Sequence, residues 1–264
     1  MATQRNAQAF ILGSGSKTSG NSVTLNSTSA LPLILDDMTI AYSTTQYKTA
    51  TVSSITLSGQ SLLASNKDMP AIAFRPEAKV DDQRNIGLTI DTNQVFSATL
   101  EVSGGGVSAD SPVSLAVSTS PTDVVISPNN APAGLLNYCF GMGKVTVNAN
   151  STATLEATSL RDGVYLGRLI ADFAFGDGAG ADSVNQITIR SVLVDGIELL
   201  SSQSAGTAEG AISLDTLLNT ASDKLGNSAD YLIGQNSIVK IVIHNANGAK
   251  PCDVTMGFFC RPLV

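Results

Sequence analysis

The fold is indicated most clearly by the stretch Ser-Val-Leu-Val-Asp-Gly-Ile-Glu-Leu-Leu at residues 191–200, because Ser-Ile-Thr-Leu-Ser-Gly-Gln-Ser-Leu-Leu at residues 54–63 resembles it. Each has strand-forming residues, a turn glycine and a pair of leucines, and the two lie 191 − 54 = 137 positions apart. A second pair, Ser-Pro-Val-Ser-Leu-Ala-Val at 111–117 and Lys-Pro-Cys-Asp-Val-Thr-Met at 250–256, has prolines 251 − 112 = 139 positions apart. Similar segments in the same order at nearly equal separations predict two copies of one structural unit.

Short runs of alternating apolar and polar residues recur along both halves, separated by clusters of Gly, Ser, Asn and Pro. Alternation with a period of two buries one face of a strand and leaves the other face polar. The pattern predicts an all-β chain with about eight strands in each half, packed as sandwiches. Clear examples are residues 96–102, 169–175, 239–243 and 254–259.

One inserted helix is predicted in each half. In the second half, four leucines and an alanine between Leu214 and Leu225 form a single apolar stripe at helical spacing. In the first half, Pro76 is placed to open a shorter helical turn within residues 75–83. The strand pattern stops across residues 127–134, so we expect one domain at 1–134 and a second at 135–264.

Composition excludes several classes of protein. The chain has 264 residues, of which 43% are hydrophobic, so it can bury a core and is not disordered. No apolar run reaches the roughly 18 residues of a membrane span, and the first residues lack the apolar stretch of a signal peptide, so folding in a cytoplasm is expected. The net charge of −7 argues against direct nucleic-acid binding. Only 14% of residues are charged, which suits a polar surface that meets other subunits.

Residues of the types used in catalysis and metal binding are few. Cys139, Cys252 and Cys260 have neither the spacing of a zinc site nor an even number, so we expect small buried hydrophobes, with Cys252 and Cys260 in or beside the last strand. His244 is the only histidine, and no serine or cysteine lies in a recognised nucleophile context. The sequence therefore predicts no catalytic residues and no enzymatic activity.

Two further motifs have plain structural interpretations. The stretch Gly-Ser-Gly-Ser-Lys-Thr at residues 13–18 is superficially like a phosphate-binding loop but lacks its glycine spacing, so a flexible turn is predicted. The acidic pairs at 36–37 and 81–82 are neighbours in sequence, and neighbours on a strand face opposite sides. Solvated turns or subunit contacts are predicted for these pairs instead of an acid–base site.

A possible calcium site lies in the glycine-rich stretch at residues 176–182, where Asp177 and Asp182 are the candidate ligands. The stretch is similar to one turn of a calcium-binding glycine-rich repeat, but such sites need tandem copies to complete the coordination shell. A loop that joins two strands is the alternative. No other metal and no cofactor are predicted.

Two tandem sandwiches, each interrupted by a helix, resemble the double jelly-roll major capsid proteins of icosahedral, membrane-containing bacterial viruses of the corticovirus type. In the first half, the similarity lies in Ala-Ile-Ala-Phe-Arg-Pro-Glu-Ala-Lys at 71–79 and in the stretch at 88–102. In the second half, the turn at 194–196, the predicted helix at 214–225 and the strand at 238–243 come in the same order as in that family.

The resemblance implies a structural role. It implies that each half is an eight-stranded jelly roll, that three chains form a homotrimeric, pseudo-hexagonal capsomer, and that capsomers contact one another and other capsid proteins in a viral shell. It also implies an internal membrane close to the N-terminal segment, where Arg5 and Lys17 are suited to lipid headgroups or to an underlying protein; a solvated tail is the alternative. The expected location is the virion capsid, after synthesis in the host cytoplasm.

Two other functions remain open from the sequence. One is a carbohydrate-binding or adhesion protein built of two sandwiches, such as a viral spike or a minor capsid protein, although the chain has no Trp and only 5% aromatic residues on which a sugar could stack. The other is a β-sandwich hydrolase, which would need a cleft with paired carboxylates.

Overall fold

The computed structural model describes residues 8–16, 22–28, 33–41, 50–57, 60–74, 88–90, 93, 95–101, 112–121, 138–176, 186–206, 210–212 and 231–262. The predicted helices at 75–83 and 214–225, the acidic pair at 81–82 and the candidate calcium ligands Asp177 and Asp182 lie outside them.

The first unit, lobe 1, contains nine described strands in two antiparallel sheets. One sheet has the order β1-β9-β3-β7 and the other β2-β8-β4-β5, with the short strand β6 also paired to β4. The short 3₁₀ helix η1, Ala71–Phe74, follows β6. The strands are β1 Gln8–Ser16, β2 Ser22–Thr28, β3 Leu33–Ala41, β4 Thr51–Leu57, β5 Gln60–Ser61, β6 Met69–Pro70, β7 Leu88–Ile90, β8 Val95–Glu101 and β9 Pro112–Pro121.

The second unit, lobe 2, also contains nine described strands in two antiparallel sheets. Their orders are β10-β18-β12-β15 and β11-β17-β13-β14, and β16 pairs with β12 beside β15. The strands are β10 Tyr138–Val147, β11 Ser151–Thr158, β12 Val164–Phe175, β13 Ile187–Val194, β14 Ile197–Gly206, β15 Gly210–Ile212, β16 Tyr231–Ile233, β17 Ile238–Asn245 and β18 Cys252–Pro262.

Both lobes have the strand order of a jelly roll. If the eight main strands of each lobe are lettered B to I, one sheet is B-I-D-G and the other is C-H-E-F in both cases. The prediction of an all-β chain with two tandem jelly rolls is therefore confirmed. Lobe 1 ends at Pro121 and lobe 2 begins at Tyr138. The predicted boundary at 134/135 lies between these strands, outside the described residues, and stays a prediction.

The duplicated stretches found in the sequence are the same hairpin in each lobe. Leu57 pairs with Gln60 in lobe 1, and Val194 pairs with Ile197 in lobe 2, so two residues separate the paired strands in each lobe. In lobe 2 these are Asp195 and Gly196, which both have positive φ (50° and 81°), as a type I′ hairpin turn requires. Just before this hairpin, the ladder to the neighbouring strand is shifted at Ser54 in lobe 1 and at Ser191 in lobe 2, 137 positions later.

The strand pairing shows that the last strands of the two lobes are separated by two residues more than the second pair of similar segments suggested. A bulge sets Gly13 opposite Leu115 in lobe 1, and the equivalent bulge sets Gly143 opposite Met256 in lobe 2. The last strands are thus related by 256 − 115 = 141 positions, not 139. At this offset Val-Ser-Leu-Ala (113–116) matches Val-Thr-Met-Gly (254–257). Bulges at the same places in both lobes are strong evidence of duplication, because a bulge is a specific backbone feature.

The core of lobe 2 lies between its two sheets and is formed by the inward-facing residues of alternating strands. Along β17 the exposed Ile238 is followed by strict alternation, with Val239, Ile241 and Ile243 fully buried. Phe140 and Phe258, on paired strands, meet edge to face with ring centroids 6.3 Å apart. Burial of each large side chain of this kind contributes about 1.5–3 kcal/mol, so this lobe has a core of its own.

The turn predicted at residues 13–18 is wrong for its described part, and so is the turn alternative for the acidic pair at 36–37, whose other alternative, a subunit contact, stays a prediction. Residues 13–16 form the second half of β1, and the acidic pair at 36–37 lies within β3, where a shift of register separates Leu35 from Asp37. Both strands pair along their length with β9. Pairing with a neighbour outweighs the weak strand preference of Gly, Ser and Asp. No helix among the described residues is long and apolar enough to cross a membrane.

Candidate functional site: the contact between the lobes

Among the described residues, the segment of lobe 1 at 61–74 forms the main contact with lobe 2. It follows β5, crosses the outer face of the sheet that contains β10 and β18, and includes β6 and η1. The backbone amide of Ala64 donates to the carbonyl of Cys139 (2.8 Å), and the amide of Leu160 donates to the carbonyl of Ala64 (2.7 Å). The lobes are therefore joined by main-chain hydrogen bonds, which depend little on side-chain identity.

Ser65 is the most buried polar anchor of this segment. It is 3% exposed, and its hydroxyl donates to the carbonyl of Gly141 at 2.7 Å. Its backbone forms an isolated antiparallel bridge with Ser159 of lobe 2, which is itself fully buried. Beside the bridge, the amide of Asn66 donates to the carbonyl of Thr158 (3.2 Å), and the amide of Thr158 donates to Asn66 Oδ1 (3.0 Å). A buried polar group stabilises a contact only when it is satisfied, and these groups are.

The bulge in β10 provides a further backbone donor. Gly143 has φ of +80°, a conformation that suits glycine, and its amide donates to the carbonyl of Asp68 in lobe 1 at 3.0 Å. Met142, between the two glycines, is 1% exposed and packs in the core of lobe 2. The bulge thus joins the inner core of one lobe to the backbone of the other.

Glycine is required where the segment lies closest to lobe 2. A Cβ on Gly141 would overlap the backbone carbonyls of Lys67 and Asp68, and a Cβ on Gly257 would overlap Met69 Sδ and lie 2.8 Å from Pro70 Cδ. Real Cβ atoms do not approach neighbours this closely. The two glycines face each other across paired strands and form a shallow seat for β6.

The contact also fixes the relative direction of the lobes. Arg161, in the turn between β11 and β12, donates from Nη2 to the carbonyl of Ser61 at 2.7 Å. Ser61 pairs with Thr56 next to the β4–β5 hairpin turn of lobe 1. A turn of lobe 2 thus lies beside the equivalent end of lobe 1, so the lobes stand side by side with like ends together.

The outer faces of the C-H-E-F sheets are polar in both lobes. In lobe 1, Thr24 Oγ1 lies 3.1 Å from Thr99 Oγ1 on the neighbouring strand. In lobe 2, Lys240 Nζ lies 2.8 Å from Glu156 Oε2, while Thr152 Oγ1 lies 3.2 Å from His244 Nδ1. His244 is thus part of a surface pair near the end of β17. Exposed pairs of this kind contribute little to stability.

All three cysteines are buried, as predicted, and none forms a disulfide. Cys252 and Cys260 both lie in β18 and in the core of lobe 2. Cys139 lies at the contact between the lobes, where its backbone bridges to Leu63. Burial raises the pKa of the Cys139 thiol from its ordinary value of 9.0 to about 12.

The sequence does not reveal the contact between the lobes. Asp177 and Asp182, its only candidate ligands, lie outside the described residues, and within the described part of the chain no three His, Cys, Asp or Glu side chains lie close enough to hold a metal ion. The contact is formed by Ser, Gly and backbone groups, which give no sequence motif. The one available signal was Phe-Gly-Met-Gly at 140–143, a strand with two unexpected glycines.

By strand order and duplication, the chain is a double jelly-roll protein. It is similar to the major capsid protein P2 from bacteriophage PM2 at 10% identity, over 96% of this chain and 97% of that one, with a TM-score of 0.46. It is also similar to a chain of Sulfolobus Turreted Icosahedral Virus at 10% identity, over 97% and 91% of the two chains, with a TM-score of 0.40.

A third likeness is to a β-porphyranase of glycoside hydrolase family 86 from the human gut bacterium Bacteroides plebeius. It has 11% identity, over 97% of this chain and 36% of that chain, with a TM-score of 0.20. No protein-family model matches the sequence, and no curated protein is significantly similar to it. Because these TM-scores are low, the fold assignment depends on the strand order and not on the likenesses.

Proposed function

We propose that the chain is a non-enzymatic capsid protein that assembles as a homotrimer with six lobes. The proposal depends on one observation, which is that the two similar lobes meet through unlike surfaces. Lobe 1 supplies the segment 61–74, and lobe 2 receives it on β10 and β18. A contact between unlike surfaces of two similar units can be repeated by further copies, and it closes into a ring when the rotation allows.

Repetition of this contact gives the trimer. If lobe 2 of one chain meets lobe 1 of the next in the same way, three chains place six jelly rolls around one axis. Lobe 1 has the matching backbone feature, because Gly13 in β1 occupies the bulge position that Gly143 occupies in β10. The trimer contact is therefore expected on the sheet that contains β1 and β9. Such six-lobed units tile a shell, and we place the protein in the capsid of a virus whose genome it does not touch directly.

Contact with an internal membrane through the N-terminal segment is the finer part of the proposal. Arg5 and Lys17 are the positive charges available there. The net charge of −7 opposes binding to anionic surfaces elsewhere, so any such contact depends on these residues. We further propose that the chain is synthesised in the host cytoplasm and assembles with other capsid proteins.

Light scattering of the purified protein at moderate salt tests the trimer. The expected mass is three times the 27.1 kDa of one chain, and negatively stained particles should show six-lobed outlines. A stable monomer at all concentrations contradicts a capsid role. In that case a glycan-dependent rise in melting temperature would favour the carbohydrate-binding alternative.

A further inference from the structure

Where side-chain exposure is described, the large aliphatic residues that are exposed lie at one end of the two lobes. The end consists of the turn after β11, the β13–β14 hairpin and the turn between β16 and β17, together with the start of β8 in lobe 1. We call it the apolar end. Every large hydrophobic side chain seen exposed in the described residues lies there: Ile197 (69% exposed), Leu232 (51%), Leu160 (48%), Val95 (44%) and Ile238 (37%).

Strand pairing brings these positions together. Ile238 pairs with Thr158, the last residue of β11, and Val239 pairs with Val194, the last residue before the hairpin turn that leads to Ile197. In lobe 1, Val95 pairs with Thr28 as Ile238 pairs with Thr158, so it occupies the equivalent position. Single exposed aliphatic residues are normal on a protein surface, but several brought to one end by strand pairing mark a candidate interaction surface.

The turns of this end are held rigidly by hydrogen bonds. The amide of Ile238 donates to Asp195 Oδ1 at 2.7 Å, and the amide of Asp195 donates to the carbonyl of Ile238 at 2.9 Å. The amide of Ser159 donates to the carbonyl of Ser237 at 2.9 Å. Preformed turns lose little conformational entropy on binding, which favours an interaction surface.

The opposite end of lobe 2 has a different character. Its described turns, at 148–150 and 246–251, expose Asn148, Asn150 and small residues and no large hydrophobic side chain. Buried amides stabilise these turns, since Asn245 Nδ2 donates to the carbonyls of Val147 and Lys250. The described turns at the two ends of lobe 2 therefore differ, with polar and small residues at one end and large exposed aliphatic residues at the other.

The charges around the apolar end determine which kind of partner it can bind. Asp162, Asp195 and Glu198 are exposed at its turns. Lys240 is neutralised by Glu156, and Arg161, which donates to the carbonyl of Ser61, offsets one of the three carboxylates, so the charge of these described turns stays negative. An apolar surface with an acidic rim is complementary to aliphatic side chains flanked by cations, and it opposes an anionic lipid surface.

We propose that the apolar end binds a segment of a second protein in which aliphatic residues are interspersed with lysine or arginine. The surface belongs to a single chain and is formed whether or not the trimer is. The apolar end is continuous with the contact between the lobes, because Leu160 belongs to both. The amide of Leu160 donates to the carbonyl of Ala64 in lobe 1.

Fluorescence anisotropy with labelled synthetic peptides of equal length tests the proposal. The probes are a Leu/Lys peptide, a Leu/Glu peptide and a Ser/Lys peptide, and vesicles of anionic and of zwitterionic lipid are tested by co-sedimentation. Only the Leu/Lys peptide is expected to bind. The double variant Ile197→Ser/Ile238→Ser and the charge variant Asp162→Lys/Glu198→Lys should each weaken its binding about tenfold or more, which corresponds to about 1.4 kcal/mol.

The matched control is Ala249→Ser at the opposite end, which should bind as the unmodified protein does. Because all the substituted residues are exposed or half-exposed, melting temperatures should be nearly unchanged, and the charge variant decides the matter if the serine variant fails to fold. Equal binding of the Ser/Lys peptide, no binding of the Leu/Lys peptide, insensitivity to both variants, or binding of anionic vesicles that the serine variant abolishes would each overturn the proposal. The mass of the protein is measured on the same samples, so a failure of the trimer is seen separately.

Discussion

Gly257 in β18 lies directly against Pro70 of lobe 1, so close that a Cβ on the glycine would be 2.8 Å from Pro70 Cδ. The two residues come from different jelly rolls and are 257 − 70 = 187 positions apart in sequence. The fit requires the absence of a side chain on one partner and a rigid ring on the other. The two lobes are thus matched in shape at their contact, and they are not merely linked by the chain.

We predict that Gly257→Ala destabilises the protein. The added methyl would overlap Met69 Sδ and Pro70, and overpacking of this kind costs about 1–3 kcal/mol. Urea unfolding followed by circular dichroism measures the loss. Gly248→Ala is the control, because no atom lies within 4 Å of a Cβ there and its φ is not in the left-handed region. Equal stability of the two variants would show that β6 is not seated on β18.

The hydroxyl of Ser65 should contribute more to the free energy of unfolding than the hydroxyl of an exposed serine does. Its removal in Ser65→Ala leaves the buried carbonyl of Gly141 without this donor, at a cost of about 1–3 kcal/mol in the free energy of unfolding. Ser151→Ala removes a bond of similar length, 2.8 Å to the carbonyl of Asn148, from an exposed turn and should cost less than about 0.5 kcal/mol. Thermal and urea unfolding of both variants give the comparison. A loss in Ser151→Ala as large as that in Ser65→Ala would contradict a special role for the contact.

Asn245 should be the most sensitive polar residue of lobe 2. It is fully buried, its Nδ2 donates to the carbonyls of Val147 (3.1 Å) and Lys250 (2.8 Å), and its Oδ1 accepts from the amide of Asn247 (2.9 Å). In Asn245→Asp the donor is lost and a charge is buried, so we expect a loss of several kcal/mol, or failure to fold. Asn150→Asp, at an exposed position, is the control and should stay within about 0.5 kcal/mol of the unmodified protein. Melting temperatures measured by calorimetry distinguish the two.

The sequence predicted the strands whose residues follow a simple rule. The β13–β14 hairpin was evident because Asp195–Gly196 is a favoured two-residue turn between apolar runs, and β17 because its buried residues alternate strictly. The strand β1 was not evident from the sequence, because its Gly and Ser residues are typical of a turn. They are extended because they pair with β9. Local preference is weak evidence for a strand whose place depends on a distant neighbour.

The repeat itself was visible only in part. Thr-Leu-Asn-Ser-Thr at 24–28 and Thr-Leu-Glu-Ala-Thr at 154–158 are equivalent strands, 130 positions apart, because Thr28 pairs with Val95 as Thr158 pairs with Ile238. Their separation differs from the 137 of the hairpins because the connections between strands differ in length. A search for one constant separation therefore misses them. The contact between the lobes was beyond sequence analysis, since backbone carbonyls carry no signature.

The buried thiol of Cys139 should make the stability of the protein depend on alkaline pH. The folded protein holds the Cys139 thiol neutral, with its pKa raised by burial from 9.0 to about 12. Above pH 9.0 the unfolded chain releases this proton and the folded protein does not, so the unfolded state is favoured. The contribution of Cys139 is thus fully present below pH 9.0 and is lost as the pH rises toward about 12, with a slope of at most about 1.4 kcal/mol per pH unit. In Cys139→Ala the free energy of unfolding should fall less steeply across this range. Urea unfolding at a series of pH values measures the slope, and identical slopes in the two proteins would show that the thiol is accessible to water. Iodoacetamide labelling gives an independent check: Cys139 should react only when urea separates the lobes, because the thiolate is the reactive form.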